Sequence, residues 1–164
     1  MFRPRVIPCL LLKDLGLVKS IKFKNHRYVG DPMNAVKIFN DKGVDELIFL
    51  DITASKEKRK INLELIQKIG YECNMPFSVG GGIKSVENIR EILNAGSEKI
   101  AINSHAHENP NLIREAANMF GSSAIIISID VKKNLFGKKK VYTHNGKEST
   151  GKDPVEFAQE MVEI

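Results

Sequence analysis

A carboxylate, a lysine, a glycine run and a polar pair mark where this sequence could do chemistry. Asp130 ends the apolar stretch Ala124–Asp130, so its neighbours are expected to raise its pKa toward acid/base use. It would equally serve as an ordinary cap of the loop that follows. Lys19 stands in a long basic segment and could reach a phosphate or an imine-like intermediate, or simply be solvated. Gly80-Gly81-Gly82 follows the apolar run Phe77–Val79 and precedes Ser85, a good N-cap for a helix over Val86–Asn94. Glycines there let backbone N–H groups approach an anion, and a nearby helix start favours negative charge. A tight strand-to-helix turn without a ligand would also use three glycines. Asn103-Ser104 at the end of the next apolar run favours a phosphate cradle, with Gly81, Gly82, Asn103 and Ser104 around the anion. Asp51 stands at the same end of its own run.

A second group belongs at the opposite end of the same runs. Side chains alternate along a strand. If Val79 and Asn103 face inward, parity turns Lys99 inward at the start of its strand, and Arg5 and Glu46 also sit at strand starts. Charges directed into a barrel floor must pair, because an unpaired buried charge costs several kcal/mol. Three unrelated residues at solvent-exposed strand starts fit the same spacing.

The elements that would hold these residues alternate. Val6–Leu12, Glu46–Asp51, Phe77–Val79, Lys99–Asn103 and Ala124–Asp130 read as strands. Helices read from Asp31-Pro32 to Gly43 and over Asn62–Ile69, Val86–Asn94 and Asn111–Met119. In the first helix Ala35, Val36, Ile38 and Phe39 mark the apolar face. This alternation argues a parallel α/β sheet. Lys13 to Gly30 reads as an irregular active-site loop.

An internal repeat narrows the fold. Ile7–Lys13 matches Ile126–Lys132 in pattern, each with a basic segment after it. Gly30-Asp31-Pro32 and Lys152-Asp153-Pro154 then open similar helices. The copies lie about 120 residues apart, so two complete copies approach the ~250 residues of a (β/α)₈ barrel. The expectation is a single domain over residues 1–164, holding about five βα units of a TIM barrel that is C-terminally truncated inside its fifth helix.

Composition restricts the function classes. With 164 residues and 42% hydrophobic content the chain can bury a core. No apolar run approaches ~20 residues and Met1-Phe2-Arg3-Pro4-Arg5 leads into no signal core, so no membrane role is expected. Cys9 and Cys73 lack CxxC spacing and read as free thiols of a cytoplasmic protein. His105 and His107 form one HxH pair without carboxylate or cysteine partners, so no metal and no cofactor are expected. Much of the +5 charge sits in Lys132, Lys133, Lys138, Lys139 and Lys140. With only Phe136 and Tyr142 as aromatics and no nucleic-acid motif, this cluster reads as a solvated loop rather than a nucleic-acid interface.

The motifs Arg5–Leu10, Gly30-Asp31-Pro32, Asp45–Ser55, Val79–Ile83, Ile102-Asn103-Ser104 and Ile129-Asp130 resemble the cyclase subunit of imidazole glycerol phosphate synthase, over essentially the whole chain. The resemblance implies a (β/α)₈ barrel whose partner, a glutaminase, docks on the N-terminal face. Arg5, Glu46 and Lys99 would gate ammonia into the barrel. A phosphorylated small-molecule substrate would bind at Gly82, Asn103 and Ser104. Asp130 matches one of two catalytic aspartates, and Lys19 matches a flexible-loop lysine. The chain departs where the other aspartate should end the first strand, which here holds Leu11. A leucine transfers no proton, and losing a general acid/base typically costs 10²–10⁴-fold. That departure resembles paralogues that, with a glutaminase and an amidotransferase, turn an acetamido group on a cell-surface sugar into an acetamidino group. The other readings are a histidine-pathway cyclase (a lyase) with a displaced base, and a non-catalytic scaffold that binds a phosphate or a partner.

Overall fold

The computed structural model describes residues 3–21, 24–134 and 137–164. Met1, Phe2 and Phe136, named above, lie outside the described residues. The chain runs β1 (Cys9–Lys13), β2 (Gly16–Ile21), β3 (Lys24–Gly30), α1 (Pro32–Lys42), β4 (Leu47–Asp51), α2 (Leu63–Glu72), β5 (Phe77–Gly80), α3 (Val86–Asn94), β6 (Lys99–Ile102), α4 (Ser104–Glu108), α5 (Pro110–Phe120), β7 (Ile125–Ile127), β8 (Asp130–Lys133), β9 (Lys139–Thr143), β10 (Glu148–Ser149) and α6 (Pro154–Glu163). One sheet has the order β3-β2-β1-β4-β5-β6-β7, and β10-β9-β8 form a second. From β1 through β4, β5, β6 and β7 every pairing is parallel. The fold is α/β with a mostly parallel sheet built by successive βα units, as in a (β/α)₈ barrel.

Helix boundaries follow local chemistry. Asp31 caps α1 by accepting from the Met33 and Asn34 N–H groups at 2.8 and 3.2 Å, Pro32 occupies the first turn, and Gly43 closes the helix at φ 59°. Asp153 repeats the device for α6, accepting from Val155 N at 2.9 Å. Asn62 and Ser85 cap α2 and α3. Within α1, Val36 is fully buried while Ile38 is 52% exposed, so the apolar face is narrower than the sequence pattern.

Register sorts the strand side chains onto two faces. Leu10, Phe49, Val79, Ile100 and Ile125 align across the sheet, and Phe49, Val79 and Ile100 are fully buried in the core shared with the helices. Leu11, Leu50, Gly80, Ala101 and Ile126 align on the opposite face, and Cys9, Ile48, Ser78 and Lys99 form the next layer of that face. Val79 therefore points to the helices, away from Lys99. It does not share the inward direction expected for it, because Lys99 pairs with Ser78 and not with Val79.

Two segments differ from the sequence reading. Where an irregular loop is expected over Lys13 to Gly30, β2 and β3 pair antiparallel and β2 lies antiparallel on β1, pairing Leu11 with Val18 and Lys13 with Gly16. Tyr28 and Val29 are exposed, so this hairpin carries little of the half-buried alternation that identifies a strand. The run Ala124–Asp130 also breaks. A 3-10 turn covers Ser122–Ala124, β7 stops at Ile127, and Asp130 opens β8 opposite Tyr142 instead of ending the preceding strand. Both halves of the internal repeat thus place a hairpin between strand and helix. On the second hairpin Lys132 faces Lys140 and Lys133 faces Lys139 across the strands.

Gly80 marks the tightest layer. A Cβ there would lie 2.7 Å from both the Ala101 carbonyl oxygen and Leu50 Cδ2. Gly80→Ala is expected to destabilise the fold by roughly 2–3 kcal/mol through overpacking. Gly43→Ala meets open space and only the left-handed backbone penalty, about 1 kcal/mol. Urea unfolding of the two variants checks this, and equal losses would refute crowding as the reason for Gly80.

Candidate functional site

A cavity of about 190 Å³ opens at the C-terminal ends of the parallel strands. Gly81, Gly82, Asn103, Ser104 and Asp130 all line it, as does Leu11. Four predicted anion-binding residues and the predicted acid/base residue are therefore brought to one place by three segments, the turn after β5, the β6–α4 junction and the start of β8.

The glycine turn is positioned by Asp51. Its carboxylate, 3% exposed, receives the Thr53 and Ala54 N–H groups at 3.1 and 3.0 Å and two Arg59 nitrogens at 2.7 and 3.1 Å. These bonds hold Arg59's guanidinium protonated beyond its usual range, the Asp51 bond contributing most and Glu57 next. Gly81 and Gly82 have φ of 125° and 68°. A Cβ on Gly81 would lie 2.4 Å from the Asp51 carbonyl oxygen, and one on Gly82 2.8 Å from that of Arg59. Only glycine satisfies both the dihedral and the approach. Asp51, placed at the rim by the sequence, is thus committed to holding the turn. The Gly82 N–H donates to Ser55 Oγ at 3.2 Å, so an incoming anion would compete with a hydroxyl that rotates freely. The start of α3 does not line the cavity; its Ser85 hydroxyl caps Asn88 N at 3.2 Å.

Asn103 and Ser104 link the two sheets. Asn103 Nδ2 donates to the Ser128 carbonyl at 2.9 Å, and Ser104 Oγ accepts from His144 N at 3.0 Å. Asp130 beside them has its pKa raised, mainly because burial disfavours the carboxylate, while Lys132 and a hydrogen bond from Asn103 pull it down. The direction agrees with the sequence reading even though Asp130 opens a strand. Lys19 lies exposed on β2 and does not line the cavity, whereas its neighbour Ser20 does. Asp14 turns into the left-handed region at φ 56° and is exposed. Ser20, His26, Ser55, His105, Ser128, His144 and Asn145 also line the cavity. Sequence reading did not single them out as site residues, and only their polarity near strand ends hinted at such a place.

At the other end of the strands Glu46, with a 7% exposed side chain, takes Arg5 Nη1 at 2.6 Å and Lys99 Nζ at 2.8 and 2.7 Å. The three residues expected to form a ring are in contact. Among the described residues no group of three or more His, Cys, Asp or Glu could hold a metal ion, and no helix is long and apolar enough to cross a membrane.

Comparison with known proteins places this geometry. The family model described as Histidine biosynthesis protein matches residues 5–164. The chain is 50% identical over 163 residues to the "Putative imidazole glycerol phosphate synthase subunit hisF2" of Pseudomonas aeruginosa, covering 99% of this chain and 65% of that protein. It is 48% identical over 165 residues to the imidazole glycerol phosphate synthase subunit HisF of Pyrococcus furiosus, covering 100% and 65%. A hisF3 relative from Vibrio vulnificus is 47% identical over 162 residues, covering 98% and 62%. The chain thus spans less than two thirds of the length of these relatives. With a family match from Arg5 to Ile164 and relatives at about half identity, the chain belongs to the histidine biosynthesis protein family, in its HisF group.

Proposed function

We propose that this chain is part of an ammonia-using synthase subunit, fed by a partner glutaminase on the face around Arg5, Glu46 and Lys99. Its product is an acetamidino group on a surface sugar rather than an imidazole ring. One observation carries the reading: a paired charged cluster closes one end of the sheet's open face, and the anion-type cavity with Asp130 opens at the other. Between them lie Ser78, Gly80, Leu50 and Ala101. Small and apolar side chains suit a small neutral molecule and offer nothing to stop it.

The phosphorylated substrate would sit against Gly81, Gly82, Asn103 and Ser104. Asp130, poised by burial, would serve as the acid/base, and Lys19 would join only if β2 moved. Leu11 presents hydrocarbon to the cavity where the family resemblance calls for a carboxylate, which supports sugar amidation over ring closure. Numbered relatives such as hisF2 and hisF3 agree with a paralogue, whereas the 48% identity to the Pyrococcus subunit supports the cyclase reading about as well.

Inorganic phosphate at millimolar concentration should shift the NMR signals of the Gly81, Gly82 and Ser104 amides; unmoved signals would remove the cradle. In the protein with its glutaminase, Lys99→Ala should depress glutamine-dependent activity several-fold more than activity with free ammonia, because Glu46 loses the more buried of its two cations. Equal losses would separate the cluster from ammonia delivery. The unmodified sequence should not restore growth without histidine to a strain lacking its cyclase, and Leu11→Asp alone should change little. Growth would return the protein to histidine synthesis.

A further inference from the structure

Among the described residues, five titratable side chains line the cavity: His26, Asp51, His105, Asp130 and His144. Asp51 is committed to Arg59. That leaves Asp130 as the other carboxylate of the cavity, and a proton-transfer cycle needs an acceptor as well as a donor.

His105 has the geometry for the complementary role. Its side chain is 25% exposed, and its Nδ1 lies 3.0 Å from Glu108 Oε2, one helical turn further along α4. The other carboxylate oxygen of Glu108 lies 3.4 Å from His144 Nε2. Glu108 thus bridges two histidines at the cavity wall, while His144 is anchored by its own N–H to Ser104 Oγ. A carboxylate beside Nδ1 fixes that nitrogen as the N–H and leaves the Nε2 lone pair available. Three charged or titratable groups act on the ring: Glu108 from α4, Lys84 from the segment after β5, and His144 just past β9. Burial lowers the pKa of His105 most; Lys84 and His144 lower it further and Glu108 opposes them. The ring is accordingly neutral near neutral pH, which is the form that accepts a proton.

We propose that His105, oriented by Glu108, is a proton-transfer group of this cavity, acting together with Asp130. The Nε2 lone pair takes a proton from an N–H, O–H or acidic C–H of the bound substrate, and the bonding pair stays on the substrate. The imidazolium formed is held by the Glu108 carboxylate and returns its proton to water or to the Asp130 carboxylate. Glu108 is a positioning residue. This inference rests on the cavity being the reaction site.

Long-range ¹H–¹⁵N spectra of the imidazoles in the full chain should show His105 in the Nδ1–H form, titrating below the usual histidine range. Glu108→Gln should weaken that tautomer preference and move the titration lower still. With ammonium as nitrogen donor, His105→Gln should reduce kcat by about 10²-fold with KM little changed, and abolish the acidic limb of the pH profile. An Nε2–H tautomer, or an acidic limb that survives His105→Gln, would overturn the assignment. Inorganic phosphate separates the two levels. If it shifts the Gly82 amide while the acidic limb survives the substitution, only His105 loses its role. If the amide does not move, the cavity reading and this proposal fall together.

Discussion

Asp51 carries a buried negative charge at the point where β4 ends, and the structure surrounds it with five donor contacts from Thr53, Ala54 and Arg59. A carboxylate so enclosed is tolerated only with its partners, and removing one from such a pair typically costs about 3–5 kcal/mol. The same bonds fold residues 53–59 into the surface against which Gly81 and Gly82 lie. The anion-type turn is therefore shaped from β4 as much as from β5. Without the Asp51–Arg59 pair the glycines would have no wall to approach, and their positive dihedrals would be conformational freedom without a purpose.

The second constraint is register. Parallel pairing fixes Leu11, Leu50, Gly80 and Ala101 on one face, one layer above Cys9, Ile48, Ser78 and Lys99. A shift of one residue would send Glu46 and Lys99 into the helix-covered core and turn Phe49 and Ile100 outward. The hydrophobic cost of that exchange, roughly 1.5–3 kcal/mol for each large side chain, ties the polar cluster at one end to the cavity at the other. Site geometry is thus enforced by ordinary core burial in Phe49, Val79 and Ile100.

Much of this was legible in the residues. Asp31, Asn62, Ser85 and Asp153 announced their helices because a short polar side chain before an apolar-periodic run has few other uses. The Arg5–Glu46–Lys99 contact followed from parity, and the gathering of Gly81, Gly82, Asn103, Ser104 and Asp130 from strand order. What escaped was tertiary. Nothing local distinguishes β2 and β3 from a loop, since the side chains of Gly16–Ile21 do not alternate between buried and exposed. An inward Val79 does not accompany an inward Lys99, because the register between strands, which no single strand reveals, pairs Lys99 with Ser78. The histidines are 39 residues apart at His105 and His144; no spacing rule joins them, and Glu108 does so only once β9 has folded back over α4.

The opposed lysines of the β8–β9 hairpin bear on how firmly the cavity stands. Like charges directly across a strand pair repel, by a few tenths of a kcal/mol each, although Lys132 also reaches the Gly146 carbonyl and the Tyr142 ring. Asp130 begins this hairpin and His144 follows it. Dissolved ions shield such repulsion over about 8 Å at physiological strength. The repulsion across the ribbon that carries two of the cavity's lining groups therefore weakens as ionic strength rises.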